Sequence, residues 1–486
     1  MSARPASPAS PPSRASPASP VVLPRILGPI RPRPRWQELR LLLLVALTLA
    51  AGSVSLGASL NGTFGLYDPW GLGIYLATLF GAHLAQVLAG RRTDQILLPA
   101  VAMLGGLSLL LMQRLPQDLV VQRFFGTAFG LAEVQLIWLV CAVSIATTLG
   151  IVIRSDAWLR RYKYTWAVVG VGLLLLTFVL GTEINGQRLT LQVGPICGQP
   201  SELLKVILVV FLAGYLSENR PLLVEQDTRI GPLRLPPLPY LAPMAAMWAI
   251  ALGIVVVQRD LGAALLFFGV FLALLYAATG RISLVIIGLV LFLAGSAVMA
   301  NLFEHIGTRI EIWLDPFADP LGSGYQVIQA LHAFARGGLL GTGLGGGLPL
   351  IGGRPPIPEI HTDFPLAALG EELGVVGVIA ILATYLVIIQ RGLRIGVAAA
   401  DDYRSLLAIG LALVVGIQAF IIAAGNLKVL PLTGVTLPFV SYGGSSLLAN
   451  ALVVGLLLAL SDRGVEPPPP PRGGRRWRRL GRREAA

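Results

Sequence analysis

Charged and hydroxyl residues at the ends of apolar segments are the groups in this sequence that could do chemistry. Glu202 and Lys205 lie in GQPSELLK (residues 198–205), and Arg188 precedes them in NGQR. Glu202 and Lys205 are three residues apart, so on a helix they share a face and can pair. Two interpretations stay open: an ion pair that locks two helices, or a polar cavity in which Arg188 and Lys205 bind an anionic substrate.

The clearest candidate for a general base is Asp363 in PEIHTDF (residues 358–364). A carboxylate beside low-dielectric surroundings has a raised pKa, which suits a base, and His361 is close enough in sequence to tune it. The alternative is that Asp363 caps a helix. For Glu371 and Glu372, which follow, the alternative to a functional role is pairing with the dipole of the first helical turn.

Two turns carry the remaining candidates. Arg259 and Asp260 in QRDLG form either a capped hairpin turn or the wall of a site. Ser441 and Tyr442 lie in PFVSYGGSS, where Pro and Gly break a helix at membrane depth. Such backbone is tolerated only where it is buried in protein or lines a cavity. The segment therefore either binds an anionic head group through hydroxyls and amides or is a re-entrant structural turn.

The sequence predicts no metal or nucleotide site of a familiar kind. Residues 341–346 match GxGxxG, but no strand precedes them and prolines follow, so a Rossmann fold does not fit. Cys141 and Cys197 lie among apolar residues, which is typical of packing residues, and the four histidines lack ligand spacing. No protein-held metal is predicted.

The elements that position these residues are membrane spans. Of the 486 residues, 55% are hydrophobic and 13% are charged, against about 25% charged in soluble domains. The mean hydropathy is +0.75. We predict an all-α polytopic membrane protein with about twelve spans. They centre near 41–60, 71–90, 96–112, 134–152, 165–182, 201–217, 240–257, 262–279, 283–303, 372–390, 405–424 and 444–461.

The distribution of Lys and Arg predicts on which side of the membrane the termini lie. With both termini in the cytoplasm, 28 of the 37 Lys and Arg lie inside and 8 outside, as the positive-inside rule requires. The net charge of +12 is concentrated at the two ends of the chain, which argues against nucleic-acid binding and fits contact with membrane lipids.

Four regions follow from this pattern. Residues 1–40, with ten prolines and seven arginines, are predicted to be a disordered cytoplasmic arm. Residues 41–92 hold the first two spans, 93–462 the remaining membrane core, and 463–486 a basic Pro/Arg-rich cytoplasmic tail. The longest connection, 304–371, lies outside and contains an amphipathic stretch at Arg309–Trp313 and an interfacial helix at Tyr325–Leu339.

In this order, the motifs resemble the SEDS family (shape, elongation, division and sporulation), whose members include FtsW, RodA and SpoVE. The matching stretches run from about residue 183 to the last span: NGQR…GQPSELLK, QRDLG, DPFADPLGSGYQVIQA…GGLLGTGLG, IPEIHTDFPLAALGEELG and LPLTGVTLPFVSYGGSS. The resemblance implies ten spans for a typical family member, with NG…QPSE between spans three and four. Here it lies between spans five and six, so the first two spans resemble an N-terminal addition.

The resemblance implies a peptidoglycan glycosyltransferase of the bacterial cytoplasmic membrane, serving cell division or cell shape. It would polymerise lipid II into glycan strands at the outer face, with a class B penicillin-binding protein as partner transpeptidase. Asp363 matches the family's essential loop aspartate, Glu202 and Lys205 its QPSE…K pair, and Arg188 the arginine of NG-x-R. Two departures, Thr190 for Trp and Arg259 for Pro, bear on substrate contacts rather than on the reaction.

That reaction needs a base for the acceptor hydroxyl and cations for the departing pyrophosphate. We expect Asp363 to be the base. Arg188, Lys205 and either Arg259 or Arg336 would hold pyrophosphate, and Glu202 would position Lys205. A divalent cation is the one cofactor that could share this charge, and the sequence does not establish it.

Two other classes of protein stay open. A transporter that flips lipid II would also need charges at membrane depth. However, most polar residues here lie at the outer ends of spans and in one external loop, which favours surface chemistry. A non-catalytic scaffold that recruits a transpeptidase would leave Asp363 without a role.

Overall fold

The computed structural model describes residues 32–124, 127–184, 187–193, 196–225, 228–230, 233–235, 260–347 and 354–462, with 246, 249 and 253. Several predictions lie outside these residues: most of the N-terminal arm, the basic tail 463–486, nearly all of the seventh span (240–257) and Arg259.

Fourteen α-helices lie in the described part of the chain. They are α1 (Trp36–Asn61), α2 (Pro69–Ala89), α3 (Leu97–Arg114), α4 (Leu131–Val152), α5 (Ala157–Arg161), α6 (Lys163–Leu180), α7 (Pro200–Glu225), α8 (Leu261–Thr279), α9 (Ile282–Leu302), α10 (Glu304–Leu314), α11 (Tyr325–Gly337), α12 (Pro365–Val397), α13 (Asp402–Asn426) and α14 (Gly444–Leu460). Short 3-10 turns cover Gln117–Leu119 and Pro316–Ala318.

Ten of these helices are long and apolar enough to cross a membrane: α1–α4, α6–α9, α12 and α13. Each coincides with a predicted span, so the prediction of a polytopic helical membrane protein is confirmed. The last predicted span corresponds to α14, which is apolar but has only 17 residues. The count of twelve stays a prediction, because the seventh span lies outside the described residues.

One predicted boundary is wrong. The long loop that we predict to be external ends at residue 364 rather than 371, because α12 already begins at Pro365. Hydropathy alone misplaces this start, since Glu371 and Glu372 lower the local average. Both side chains are buried inside the protein and paired with arginines, so they do not interrupt the helix.

Short antiparallel hairpins, which the sequence analysis did not predict, connect some of the helices. Strands β1 (Gln122–Phe124) and β2 (Thr127–Phe129) pair, as do β6 (Thr228–Ile230) and β7 (Leu233–Leu235). Between α6 and α7, β3 (Thr182–Ile184), β4 (Gln187–Val193) and β5 (Ile196–Gly198) form a three-stranded sheet in the order β3-β4-β5. This sheet connects Gln187 and Arg188, the described half of the NGQR motif, to the start of α7.

The helices differ sharply in burial. Helices α3, α7 and α13 are mostly buried, whereas α9 exposes nearly its whole length. Helix α13 packs against α7, α8 and α12, and α14 packs on α4. Helices α7 and α13 are therefore at the centre of the bundle, where polar side chains must find partners inside the protein.

A glycine-rich segment (residues 337–347) wraps around a break in α12. Gly374 has φ 68° and interrupts the helix, so the amides of Val375 and Val376 donate to Gly338 O (2.9 Å) and Leu339 O (3.2 Å) instead. Gly341 also has a positive φ, and a β-carbon there would lie 2.1 Å from Glu372 O. Close backbone approach therefore explains glycines that resemble a nucleotide-binding motif.

Helices α1 and α2 form a hairpin fixed to the core at its predicted cytoplasmic end. Buried Glu38 accepts from Arg35 and lies 2.7 Å from His83 Nδ1. Arg35 also donates to Asp94 O (2.9 Å), and Asp94 pairs with Arg391 near the end of α12.

Candidate active site

Asp363 lies in a tight turn immediately before α12. Its amide and that of Thr362 donate to Glu359 O at 2.9 and 3.1 Å. The buried Asn426, at the end of α13, donates from Nδ2 to Asp363 O at 2.8 Å. The N-cap residue of α12 is Phe364, so the alternative that Asp363 caps this helix does not hold. The turn leaves the Asp363 carboxylate free of a helix-capping role.

The half-buried Asp363 faces a cavity of about 180 Å³. Its walls come from α10, α11, the turn before α12, the end of α13 and the LPLTG segment. The lining residues are Arg309, Ile312, Trp313, Ser323, Gln326, Val327, Asp363, Phe364, Ile422, Gly425, Lys428, Leu430, Leu432 and Gly434. The charged residues in this lining are one carboxylate and two cations, Arg309 and Lys428.

Burial and, to a lesser degree, the nearby Glu359 carboxylate raise the pKa of Asp363 to about 6, against the lowering effect of Arg309. Burial also lowers the pKa of Arg309 from its usual value, opposed by Asp363 and Asp260. A carboxylate with a pKa of about 6 is ionised at neutral pH yet accepts a proton readily, as a general base must.

His361, Ser441 and Tyr442 brace the turn that carries Asp363. Ser441 Oγ donates to Thr362 O (2.6 Å) and accepts from Leu437 N (2.8 Å). The Tyr442 amide donates to His361 O (2.7 Å), and the two rings lie 5.7 Å apart. These contacts favour the re-entrant structural turn over a head-group site. Burial lowers the pKa of His361, which keeps its ring neutral at pH 7.

Backbone strain collects around the same site. Three non-glycine residues in the described ranges have positive φ: Glu359 (51°), Lys428 (58°) and Phe439 (65°). Glu359 begins the Asp363 turn, Lys428 lines the cavity, and Phe439 lies in the PFVSYGGSS segment that braces the turn. Strained backbone of this kind is enriched at functional sites.

Glu202 and Lys205 form a closed network in the bundle. Lys205 Nζ donates to Glu202 Oε2 at 2.6 Å and to Gln418 Oε1 at 2.8 Å, and its side chain is 1% exposed. Gln418 Nε2 donates to Thr436 O at 2.9 Å. Lys205 thus has two acceptors inside the protein, Glu202 on its own helix and Gln418 on α13, which favours a structural role that locks these two helices over an anion-binding group.

Asp260 links this network to the cavity. Its Oδ1 accepts from Ala263 N (2.9 Å), so it caps α8, and its Oδ2 accepts from Ser201 Oγ (3.3 Å). Burial raises the pKa of Asp260, the Glu202 charge raises it further, and Arg309 lowers it. Arg309 therefore interacts with Asp363 at the cavity and with Asp260 beside the Glu202–Lys205 network.

The other predicted cations are placed differently. Arg336 lies at the end of α11, where its Nε is 3.5 Å from Glu371 Oε1. Glu372 pairs with Arg114 at 2.8 Å. These pairs replace the predicted alternative in which Glu371 and Glu372 complement a first-turn dipole. Arg188 lies in β4, but its side chain, like all of Arg259, is outside the described residues.

Sequence reasoning missed Arg309, Lys428 and Asn426 as site residues. Arg309 did lie in the amphipathic stretch of the external loop, which was the available signal. Asn426 gave none, because its partner Asp363 is 63 residues away in the chain. Within the described ranges, no cluster of three or more His, Cys, Asp or Glu could hold a metal. A divalent cation stays a prediction.

Comparison with known proteins agrees with this arrangement. The family model FTSW_RODA_SPOVE, described as "Cell cycle protein", matches residues 94–464. "Peptidoglycan glycosyltransferase RodA" of Mycobacterium tuberculosis (strain ATCC 25618 / H37Rv) is 40% identical over 88% of this chain and 91% of its own length. The RodA of Mycobacterium leprae (strain TN) is 39% identical over 90% and 93%. Both alignments cover more of the chain than the family model does.

Solved structures show the same fold. One chain is described as "Structural coordination of polymerization and crosslinking by a peptidoglycan synthase complex". It superposes with a TM-score of 0.60 at 28% identity, covering 76% of this chain and 98% of its own. The rod shape determining protein RodA of Thermus thermophilus gives a TM-score of 0.52 at 24% identity, covering 76% and 97%. This multi-pass membrane protein belongs to the FtsW/RodA/SpoVE family of cell cycle proteins, the SEDS family that its motifs resemble.

Proposed function

We propose that this protein is a peptidoglycan glycosyltransferase that polymerises lipid II into glycan strands at the outer face of the cytoplasmic membrane. The observation that carries the proposal is the half-buried Asp363, with a pKa of about 6, in a cavity that also holds Arg309 and Lys428. The names of the relatives support the same activity.

The reaction follows from this geometry. The Asp363 carboxylate takes the proton of the acceptor sugar 4-hydroxyl as that oxygen attacks the anomeric carbon of the donor. The bond from this carbon to pyrophosphate breaks, and undecaprenyl pyrophosphate leaves with the electron pair. Arg309 and Lys428 stabilise the negative charge on the leaving group. Both cations lie in the cavity lining, whereas Lys205 has internal acceptors.

Asn426 and the remaining predicted site residues take secondary roles in this proposal. Asn426, Ser441 and Tyr442 hold the turn that carries Asp363, and His361 shields it from water. Glu202, Lys205 and Asp260 fix α7, α8 and α13 behind the cavity. Arg188 and Arg259 stay proposed pyrophosphate contacts, and Arg336 supports the end of α11.

The setting is also proposed. Both termini lie in the cytoplasm, which places the cavity at the outer surface, where lipid II is polymerised. A class B penicillin-binding protein is the proposed partner that cross-links the strands. In support, the solved chain with a TM-score of 0.60 comes from a peptidoglycan synthase complex.

Polymerisation of labelled lipid II by the purified full-length protein, with its partner transpeptidase, tests the proposal. Asp363→Asn should lower the rate by at least about 100-fold, since it removes the base. The matched control is Asp118→Asn, at an exposed carboxylate in a loop on the same side of the membrane, which should keep wild-type activity.

Asp363→Asn should also fold. At pH 7 it removes a half-buried charge whose pKa is raised, so the unfolding temperature should stay equal or rise. Equal product from wild type and Asp363→Asn would remove this base from the mechanism. Transfer of lipid II across liposome membranes without polymer would replace the proposal by a transporter.

A further inference from the structure

The outer half of α1 supports the glycine-rich segment (residues 337–347) of the external loop. A β-carbon at Gly345 would lie 3.0 Å from both Leu56 Cδ1 and Ser59 Cβ, and Gly345 has φ +83°. A β-carbon at Gly52 would lie 3.1 Å from Leu344 Cδ1. Leu56 is 1% exposed. Backbone and side chains are therefore in direct contact across this interface.

The opposite side of the same segment holds the start of α12. The Thr342 amide donates to Glu371 O (3.0 Å), and the Gly343 amide to Glu372 O (2.9 Å). The amides of Gly345 and Gly347 donate to the Glu372 carboxylate. Gly345 thus contacts α1 on one side and Glu372 on the other.

Glu372 lies in the first part of α12, before the break at Gly374. This part begins at Pro365, two residues after Asp363. This part (residues 365–373) is separated from the rest of α12 by non-helical backbone, so the segment around it, rather than the helix alone, must hold it in place. A shift of about 1 Å at a catalytic group is enough to lower a rate about 100-fold.

We propose that α1 positions the catalytic carboxylate, with Leu56 as the positioning residue that acts through the glycine-rich segment and Glu372 on Asp363. Helix α1 lies outside residues 94–464, which the family model matches, so this contact is an addition to the matched core. The inference rests on the proposed function, because it assigns α1 a part in that reaction.

The inner end of α1 explains how one helix can act as a support. Arg35 binds Glu38 and the Asp94 carbonyl, and Asp94 pairs with Arg391 of α12. Helix α1 is thereby attached near both ends of α12, through a buried ionic network at one end and through the glycine-rich segment at the other. A support fixed in this way transmits a change at Leu56 to the loop instead of relaxing along its own axis.

Steady-state polymerisation of lipid II by the full-length protein, with its partner transpeptidase, tests the role of Leu56. Leu56→Ala should lower kcat about tenfold with KM unchanged, and Leu56→Ile should restore most of the rate. The matched control is Leu49→Ala on the same helix. Leu49 is fully buried but packs on Gly106 of α3 rather than on the loop. It should destabilise the protein to a similar degree and keep the wild-type kcat.

An equal loss of kcat in Leu56→Ala and Leu49→Ala, or a normal kcat in Leu56→Ala, would overturn the positioning role. Amide hydrogen exchange in residues 337–347 decides the inference independently of activity. Faster exchange in Leu56→Ala than in Leu49→Ala supports it, and equal exchange overturns it. If the wild-type protein makes no polymer, the proposed function fails, and the exchange result still shows whether α1 holds the segment.

Discussion

Two charged groups that look alike in the sequence are built in opposite ways. Around Lys205, every charge meets a partner at short range: Glu202 at 2.6 Å and Gln418 at 2.8 Å, with the lysine 1% exposed. Around Asp363, the half-buried carboxylate lines a cavity, its pKa is raised to about 6, and Arg309 and Lys428 lie in the same walls.

This difference teaches how to separate structural charge from reactive charge. A buried ion whose charge and hydrogen bonds are satisfied by other protein groups is not available to bind a substrate. Its role is to stabilise contacts between helices. A carboxylate that is desolvated without being fully neutralised keeps an elevated proton affinity, which is the property that proton transfer requires.

Replacing each lysine should give the largest difference in stability between the two groups. Lys205→Met leaves the Glu202 carboxylate and Gln418 Oε1 without their donor, so we expect a loss of about 3 kcal/mol in the free energy of unfolding. Lys428→Met should cost less than about 1 kcal/mol, because that side chain borders the cavity. Thermal unfolding in detergent measures both. Equal losses would mean that the two lysines have the same structural role.

Arg309→Ala removes a cation from the cavity, so we expect kcat/KM for lipid II to fall about 100-fold. It also removes the charge that lowers the pKa of Asp363, so the acidic limb of the pH–rate profile should move above pH 6. The sign is fixed because Asp363 is a base only when ionised, and the rate falls as pH falls through its pKa. A limb that moves to lower pH would contradict this arrangement. Arg336→Ala, at a cation paired with Glu371, is the control and should leave the limb in place.

Glu359→Gln should move the acidic limb of the pH–rate profile the least, and in the direction opposite to Arg309→Ala. The Glu359 carboxylate raises the pKa of Asp363, so its loss should move the acidic limb a few tenths of a pH unit below that of the wild type. The maximal rate should stay close to wild type. An unchanged or upward-shifted limb in the same pH–rate measurement would show that Glu359 does not act on Asp363.

The helical framework was predictable because each span is determined by its own composition. Transfer of about twenty apolar residues into a bilayer is favourable residue by residue, so ten helices appear where hydropathy places them. The start of α12 was not predictable in this way. Glu371 and Glu372 are polar in the sequence, and only tertiary partners, Arg336 and Arg114, make them compatible with a buried helix.

The site was predictable in part. The family motifs pointed to Asp363, and the three-residue spacing pointed to the pairing of Glu202 with Lys205. No local pattern shows that Gln418, 213 residues from Lys205, completes the network. Likewise, no pattern shows that Asn426 holds Asp363 or that Arg309 reaches the cavity. These contacts depend on how α10 and the turn that carries Asp363 pack against the end of α13.

The three positive-φ residues near Asp363 have a consequence for directed evolution. Glycine at Glu359 or Lys428 would relieve about 1 kcal/mol of backbone strain at each position, at the loss of a charged side chain near Asp363. At Phe439, glycine would remove a buried ring, and the lost packing exceeds the strain relieved. Selection for heat resistance alone should therefore favour glycine at Glu359 and Lys428 but not at Phe439, and selection for cell growth should remove it. Thermostabilised variants that keep both charged side chains are the ones in which to look for retained turnover.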